Sequence, residues 1–117
     1  FVAEFNKKKN KSVDRASLFT SLDNLSIVKF NFCNSKKVEI SSNSSEIGKV
    51  VEEIYLLNEI NDVNFQIAFS TRYLLEALRS FEKDKINFYF TGEIKPTILK
   101  EINDESLTQL LLPVRVF

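Results

Sequence analysis

The stretch Phe65-Gln66-Ile67-Ala68-Phe69-Ser70-Thr71-Arg72-Tyr73-Leu74-Leu75-Glu76-Ala77-Leu78-Arg79-Ser80-Phe81 decides how the chain is read. Phe65, Ile67 and Phe69 recur with the period of a half-buried strand. At Ser70, a residue type suited to cap a helix, the period changes. Leu74, Leu75, Leu78 and Phe81 then follow at helical spacing, with Arg72, Glu76 and Arg79 on another face. The stretch predicts a strand running through a cap directly into an amphipathic helix.

The same unit occurs earlier. Val13, Asp14, Leu18, Phe19 and Leu22 stand at one constant offset before Phe69, Ser70, Leu74, Leu75 and Leu78, so Asp14 matches Ser70 as the cap. Residues 12–25 are expected to hold the first strand end and the first of these helices, with Leu18, Leu22 and Leu25 as its buried stripe and Phe19 beside it. An alternating strand follows each helix: Val28-Lys29-Phe30-Asn31-Phe32 and Ile86-Asn87-Phe88-Tyr89-Phe90. A short strand comes next in each half (38–40 and 98–102), and a longer one closes it (47–56 and 107–114). The pattern is two copies of strand, helix, strand, strand, strand, at about 1–57 and 63–117. Each half is expected to fold as a capped helix laid on its own strands.

Composition sets the limits. The chain has 117 residues, enough for one domain with a respectable core, and 44% hydrophobic content with 11 Phe argues for a folded globule. Formal net charge is +0, so bulk charge gives no reason to expect nucleic-acid binding, and any electrostatic function must lie in how charges are distributed. The absence of histidine removes the commonest general acid–base and the commonest metal ligand, and two distant glycines, Gly48 and Gly92, cannot build a phosphate loop. No cofactor or metal site is expected. The single cysteine, Cys33, excludes an internal disulfide, fits a reducing, cytoplasmic compartment, and at the end of an alternating strand is expected to pack. No apolar run approaches the ~20 residues of a membrane span. The chain opens at Phe1 without methionine and enters strand-like sequence almost at once, as a piece cut from a longer polypeptide would.

Several stretches carry two readings. Lys7, Lys8, Lys9 and Lys11 form a basic run that fits a solvated loop or a polyanion contact. The 27–33 and 37–40 strands should form a hairpin across Asn34-Ser35. Residues 46–57 fit a strand by their β-branched content and a helix by the spacing of Ile47, Val50, Val51 and Ile54; the repeat favours the strand. A turn is expected over residues 103–106. At the end, Leu110-Leu111-Leu112-Pro113 fits either a terminal strand buried in its own core or an apolar surface groove suited to a short hydrophobic peptide.

The residues Phe69-Ser70-Thr71-Arg72-Tyr73-Leu74-Leu75-Glu76-Ala77-Leu78 resemble the F-N-x-x-Y-L-L-D-A-L stretch of bacterial DNA sliding clamps, the beta subunits of DNA polymerase III. Ile86 to Gly92 resembles the clamp strand that ends in Thr-Gly, and Leu112-Pro113-Val114-Arg115-Val116 resembles the clamp's C-terminal M-P-V-R-L. The likeness covers nearly the whole chain and fits best the third, C-terminal domain.

The resemblance implies a non-catalytic ring of three such domains per chain and two chains, a homodimer. The ring encircles duplex DNA without sequence preference and tethers the polymerase, helices inside and sheets outside. Arg72 and Arg79 would face the DNA, although Glu76 lies between them and can pair with both. A partner-peptide pocket would use Ile94, Pro96, Leu110, Leu112, Pro113, Val114 and Arg115, with its remainder supplied by the preceding domain. Its implied ligands are short hydrophobic motifs of the DNA polymerase III alpha subunit, the clamp loader and other clamp-binding proteins. Leu112 stands where many clamps have methionine. Ring closure would use Leu25 and Ile27 as apolar contacts, with Glu46, Glu52 and Glu53 facing basic residues; the last two also fit a plainly solvated surface.

The expected fold is therefore α+β: a DNA-clamp-like domain with two helices packed on antiparallel sheet. The expected function is that of a replication processivity factor, and a stand-alone peptide-binding module with no DNA role is the alternative. An enzyme would need paired carboxylates in a cleft, but Glu52-Glu53 and Asp104-Glu105 are sequence neighbours that a strand points to opposite faces.

Overall fold

The computed structural model describes residues 1–7, 26–44, 48–61 and 64–115. The expected first helix, Leu25, Glu46, Lys8, Lys9 and Lys11 lie outside the described residues. Among the described residues, eight strands and one helix follow in the order β1 (Val2–Asn6), β2 (Ile27–Phe32), β3 (Lys37–Ser44), β4 (Gly48–Tyr55), β5 (Phe65–Ser70), α1 (Thr71–Arg79), β6 (Lys85–Tyr89), β7 (Thr97–Glu101) and β8 (Asp104–Leu111).

The strands form two four-stranded antiparallel sheets, ordered β1-β6-β7-β8 and β4-β3-β2-β5. The expectation that each half is laid on its own strands holds for the packing of α1, which rests on β5 and β8, but not for the sheets. β1 pairs with β6 across Ala3–Phe88, and β5 pairs with β2 across Val28–Phe69, so the halves exchange their first strands. Alternation specifies which side chains face inward but not which strand lies alongside. The exchange joins the halves into one core.

That core is built from phenylalanine. The first sheet and its flanks supply Phe1, Phe5, Phe88 and Phe90, and the second supplies Phe30, Phe32, Phe65 and Phe69. Rings meet across the sheets, Phe5 to Phe30 at 5.8 Å and Phe32 to Phe90 at 5.2 Å between centroids. These are the separations at which tilted and edge-on pairs attract. α1 packs on β5 and β8, one strand of each sheet, burying Leu74, Ala77 and Leu78. It thereby closes one end of the core.

Each exchanged strand has its outer edge covered by the segment that ends a half. Beside β1, the Leu57 N–H donates to the Glu4 carbonyl at 2.9 Å. The Asn58 side chain accepts from the Glu4 N–H at 2.9 Å and donates to the Val2 carbonyl at 2.8 Å. Beside β5, the Val114 N–H donates to the Ala68 carbonyl at 2.8 Å. Open strand edges invite pairing with other chains, and both devices block it. Asn58→Ala removes both side-chain bonds of a half-buried amide and should destabilise the chain by about 1–3 kcal/mol in urea denaturation. Asn58→Asp, which keeps the acceptor but cannot donate, should fall between.

Several local expectations are corrected. Ser70 occupies the N-cap position, yet its hydroxyl makes no cap hydrogen bond. The Thr71 N–H instead donates to the Ser26 carbonyl at 3.0 Å, since the neighbouring chain already supplies an acceptor. Cys33 is exposed rather than packed, because β2 ends at Phe32 and the cysteine falls between the strand and the hairpin turn. Lys7 is not part of a solvated run: it is only 4% exposed. The turn before β8 is Ile102-Asn103 rather than 103–106. Asn103 takes a φ of 61° there, a conformation asparagine tolerates, and Asp104 then accepts from the Ser106 N–H at 2.9 Å.

Candidate functional site

β8 runs out at Leu111, and the chain turns through Leu112-Pro113 to reach the edge of β5 at Val114. Pro113 cannot donate to a ladder, so the strand cannot continue straight. α1 starts directly after Ser70, two residues beyond Ala68, and lies alongside. Between helix and tail opens a cleft of about 560 Å³, lined by Ser70, Tyr73, Glu76 and Ala77 on one wall and the 109–114 segment on the other. This is the size range of small-molecule and side-chain pockets.

The three leucines divide. Leu111 is 4% exposed and belongs to the core, while Leu110 and Leu112 are 61% and 65% exposed beside the cleft. The tail fits each of its two readings in part, with Leu111 packed in the core and Leu110 and Leu112 beside an apolar cleft. The floor of that cleft is tied to the helix by a short chain of bonds. Gln109 Nε2 donates to Ser80 Oγ at 3.0 Å, and that hydroxyl donates to the Ala77 carbonyl at 2.6 Å.

Of the residues the sequence marks for a peptide pocket, Leu110, Leu112, Pro113 and Val114 line the cleft. Arg115 is exposed just past it, outside the lining. Ile94 and Pro96 are exposed on a loop outside the lining. That loop is nonetheless fixed to the same edge of β5: Glu93 Oε2 accepts from the Gln66 N–H at 2.6 Å, two residues before the Ala68 carbonyl that receives the tail. Residues two apart on a strand direct their backbone groups to the same edge. The sequence missed the helical wall, Ser70, Tyr73, Glu76 and Ala77. The exposed Tyr73, off the buried stripe of an amphipathic helix, is the one signal that could have found it.

Arg72 and Arg79 both lie exposed on α1. Arg72 Nε stands 3.5 Å from Glu76 Oε1, an i,i+4 pair open to solvent. Among the described residues Arg79 has no carboxylate partner within ion-pair distance. Glu76 therefore serves two surfaces, holding Arg72 and lining the cleft.

Of the residues marked for ring closure, Ile27, Glu52 and Glu53 lie on the second sheet, whose β4 edge carries no further strand among the described residues. The register Ile40↔Glu52 puts Glu52 on the face that turns toward the core and Glu53 on the outer face, where Ile27 also lies. Val51 and Tyr55, exposed apolar residues of that outer face, were not marked by the sequence. Glu53 is already engaged: its Oε2 lies 2.7 Å from Lys37 Nζ. That hydrogen bond, and then the charge of Glu53, hold the Lys37 ammonium above its ordinary value of 10.5. A lysine raised on folding contributes stability below its ordinary pKa, lost as the pH climbs through the raised value. Glu53→Gln should return Lys37 toward the ordinary value in an NMR titration of its Cε protons.

Among the described residues no cluster of His, Cys, Asp and Glu could hold a metal ion, and no helix is long and apolar enough to cross a membrane.

An α+β domain of two strand-exchanged antiparallel sheets, with its described helix across both and an apolar cleft at the flank, is the clamp type of fold. The family model described as DNA polymerase III beta subunit, C-terminal domain, matches residues 3–115. The beta sliding clamp of Bacillus subtilis is 42% identical over 106 residues, covering 91% of this chain and 28% of the relative. That of Staphylococcus epidermidis is 39% identical over the same coverage. Among solved structures, the Bacillus subtilis DNA polymerase sliding clamp superposes with a TM-score of 0.83 at 34% identity, over 99% of this chain and 30% of that one. The Thermotoga maritima DNA polymerase III beta subunit gives 0.82 at 19% identity, a likeness of fold. The chain belongs to the DNA polymerase III beta subunit family and corresponds to its C-terminal domain. It spans less than a third of the length of these relatives.

Proposed function

We propose that this chain is the third domain of a ring-forming processivity clamp of bacterial DNA replication. The clamp acts in the cytoplasm, does no chemistry, and holds the polymerase and other partners on DNA. In this reading the cleft between α1 and the tail receives a short apolar peptide of a partner: the polymerase alpha subunit, the clamp loader or another clamp-binding protein. The observation that carries it is Leu110 and Leu112 standing largely exposed on the wall opposite Tyr73, in a domain of the clamp family. Soluble proteins keep exposed leucines in such pairs where something docks on them.

Duplex DNA would pass the exposed face of α1, with Arg72 and Arg79 as loose, sequence-independent phosphate contacts. Closure of a homodimeric ring would use the open β4 edge with Ile27, Glu52 and Glu53. Leu25, Glu46, Ile94, Pro96 and Arg115 keep the roles the resemblance implies.

The test is a fluorescence-anisotropy titration with a labelled hexapeptide carrying two leucines and a phenylalanine, against this chain and against a full-length clamp containing it. The chain alone offers one side of the site, so affinity should be weak, near millimolar, and at least about tenfold tighter in the full-length protein. Equal affinity for both would leave the shared pocket without support.

A further inference from the structure

The cleft has one wall made of a helix only nine residues long, and such a helix is poorly fixed by its own hydrogen bonds. Its last carbonyls have no partner within the helix. Two of the carbonyls at this end, that of Leu78 beside its 3.3 Å bond from the Phe81 N–H, also accept from a residue distant in the sequence. Lys7, directly after β1, donates from Nζ to the Leu78 carbonyl at 3.1 Å and to the Phe81 carbonyl at 2.7 Å. Its backbone N–H donates to the Asp84 carbonyl at 2.8 Å, in the turn that leaves the helix. A cation at a helix C-terminus also opposes the negative end of the helix dipole.

We infer that Lys7 is a positioning residue for the peptide cleft, fixing the C-terminal turn of α1 and hence the distance from Tyr73, Glu76 and Ala77 to the tail. Leu78 follows Ala77 directly, so a carbonyl held by Lys7 belongs to the same turn as the cleft wall. The opposite anchor of that turn is Gln109 through Ser80, and Gln109 itself lines the cleft. The turn is therefore pinned on one side to β1 and on the other to β8. The ammonium is buried, which is unusual for lysine unless its protons are all directed to acceptors. Sites whose supporting groups are loosened bind less well even when every contact residue is retained. This inference rests on the reading of the cleft as a peptide site.

Lys7→Met keeps the apolar stem and removes the donors. In the peptide titration above, carried out on the full-length clamp at a temperature where every variant is folded by circular dichroism, Lys7→Met should weaken binding about tenfold. Phe88→Leu, a core substitution remote from the cleft, should lower the melting temperature with affinity kept within about twofold. Lys7→Gln, able to donate to one carbonyl, should lie between and replaces Lys7→Met if that variant does not fold. Leu112→Glu separates the two levels of the argument. If it leaves affinity unchanged, the cleft itself is not the site. If it abolishes binding while Lys7→Met and Lys7→Gln bind like the unaltered protein, or lose only the affinity that Phe88→Leu loses, the positioning role of Lys7 is overturned.

Discussion

Phe30→Ala should lower the melting temperature of the chain by about 15 °C. Phe30 is fully buried in the middle of the exchanged sheets, and its ring meets Phe5 at 5.8 Å, Phe69 at 5.7 Å, Phe88 at 6.2 Å and Phe32 at 6.3 Å. Two of these neighbours, Phe5 and Phe88, belong to the first sheet and two to the second. Truncation leaves a cavity at the seam between the halves, where neither sheet can close in without breaking its ladder. A buried Phe→Ala change costs about 3–5 kcal/mol, against total stabilities of about 5–15 kcal/mol for domains of this kind. Thermal melting by circular dichroism checks it. A shift of only a few degrees would mean that the two sheets do not share one core.

Leu112→Glu should weaken peptide binding at least about thirtyfold while moving the melting temperature by no more than about 2 °C. The side chain is 65% exposed, so the fold loses little apolar burial. In the cleft the new carboxylate would face an apolar guest and stand on the same surface as Glu76. A guest seated there would have to bury an unpaired charge, which costs more than any single apolar contact supplies. Anisotropy titration and a melting curve on the same protein give both quantities. Loss of stability together with affinity would instead place Leu112 in the core with Leu111.

The strands and the helix were legible because phenylalanine at every second position and leucine at helical spacing each leave a distinct period. Val28, Phe30 and Phe32 face inward as read, and the helix begins directly after Ser70. The hairpin between β2 and β3 was legible for the same reason, its turn opening with Asn34, whose side chain accepts from the Lys36 N–H at 2.9 Å. The partnering of β1 with β6 was not, because a strand whose alternate residues are apolar fits beside any other of like pattern. Nor was the covering of the outer edge of β1 by Asn58, a polar residue in a loop that reads as a plain connection.

Half of the cleft was legible and half was not, for a related reason. The run Leu110-Leu111-Leu112-Pro113 is anomalous in composition and so draws the eye. Tyr73 and Glu76 fall on the polar side of an amphipathic helix, where a functional wall and a solvated face have the same pattern. Lys7 was hidden by its neighbours, since a lysine among lysines reads as solvent-exposed. Only the end of a helix folded against it reveals that its ammonium has acceptors. Cys33 shows the converse error: one residue past the end of a strand, its apolar character counts for nothing.

The proposal that the groove beside α1 receives partner peptides is tested most directly by a ¹⁵N–¹H correlation titration of this chain with the leucine–phenylalanine hexapeptide. Progressive shifts are expected, confined to the amides of Tyr73, Ala77, Leu110, Leu112 and Val114 and their immediate neighbours, with the ladder of β2, β3 and β4 unmoved. Shifts centred on β4, or none at millimolar peptide, would contradict it.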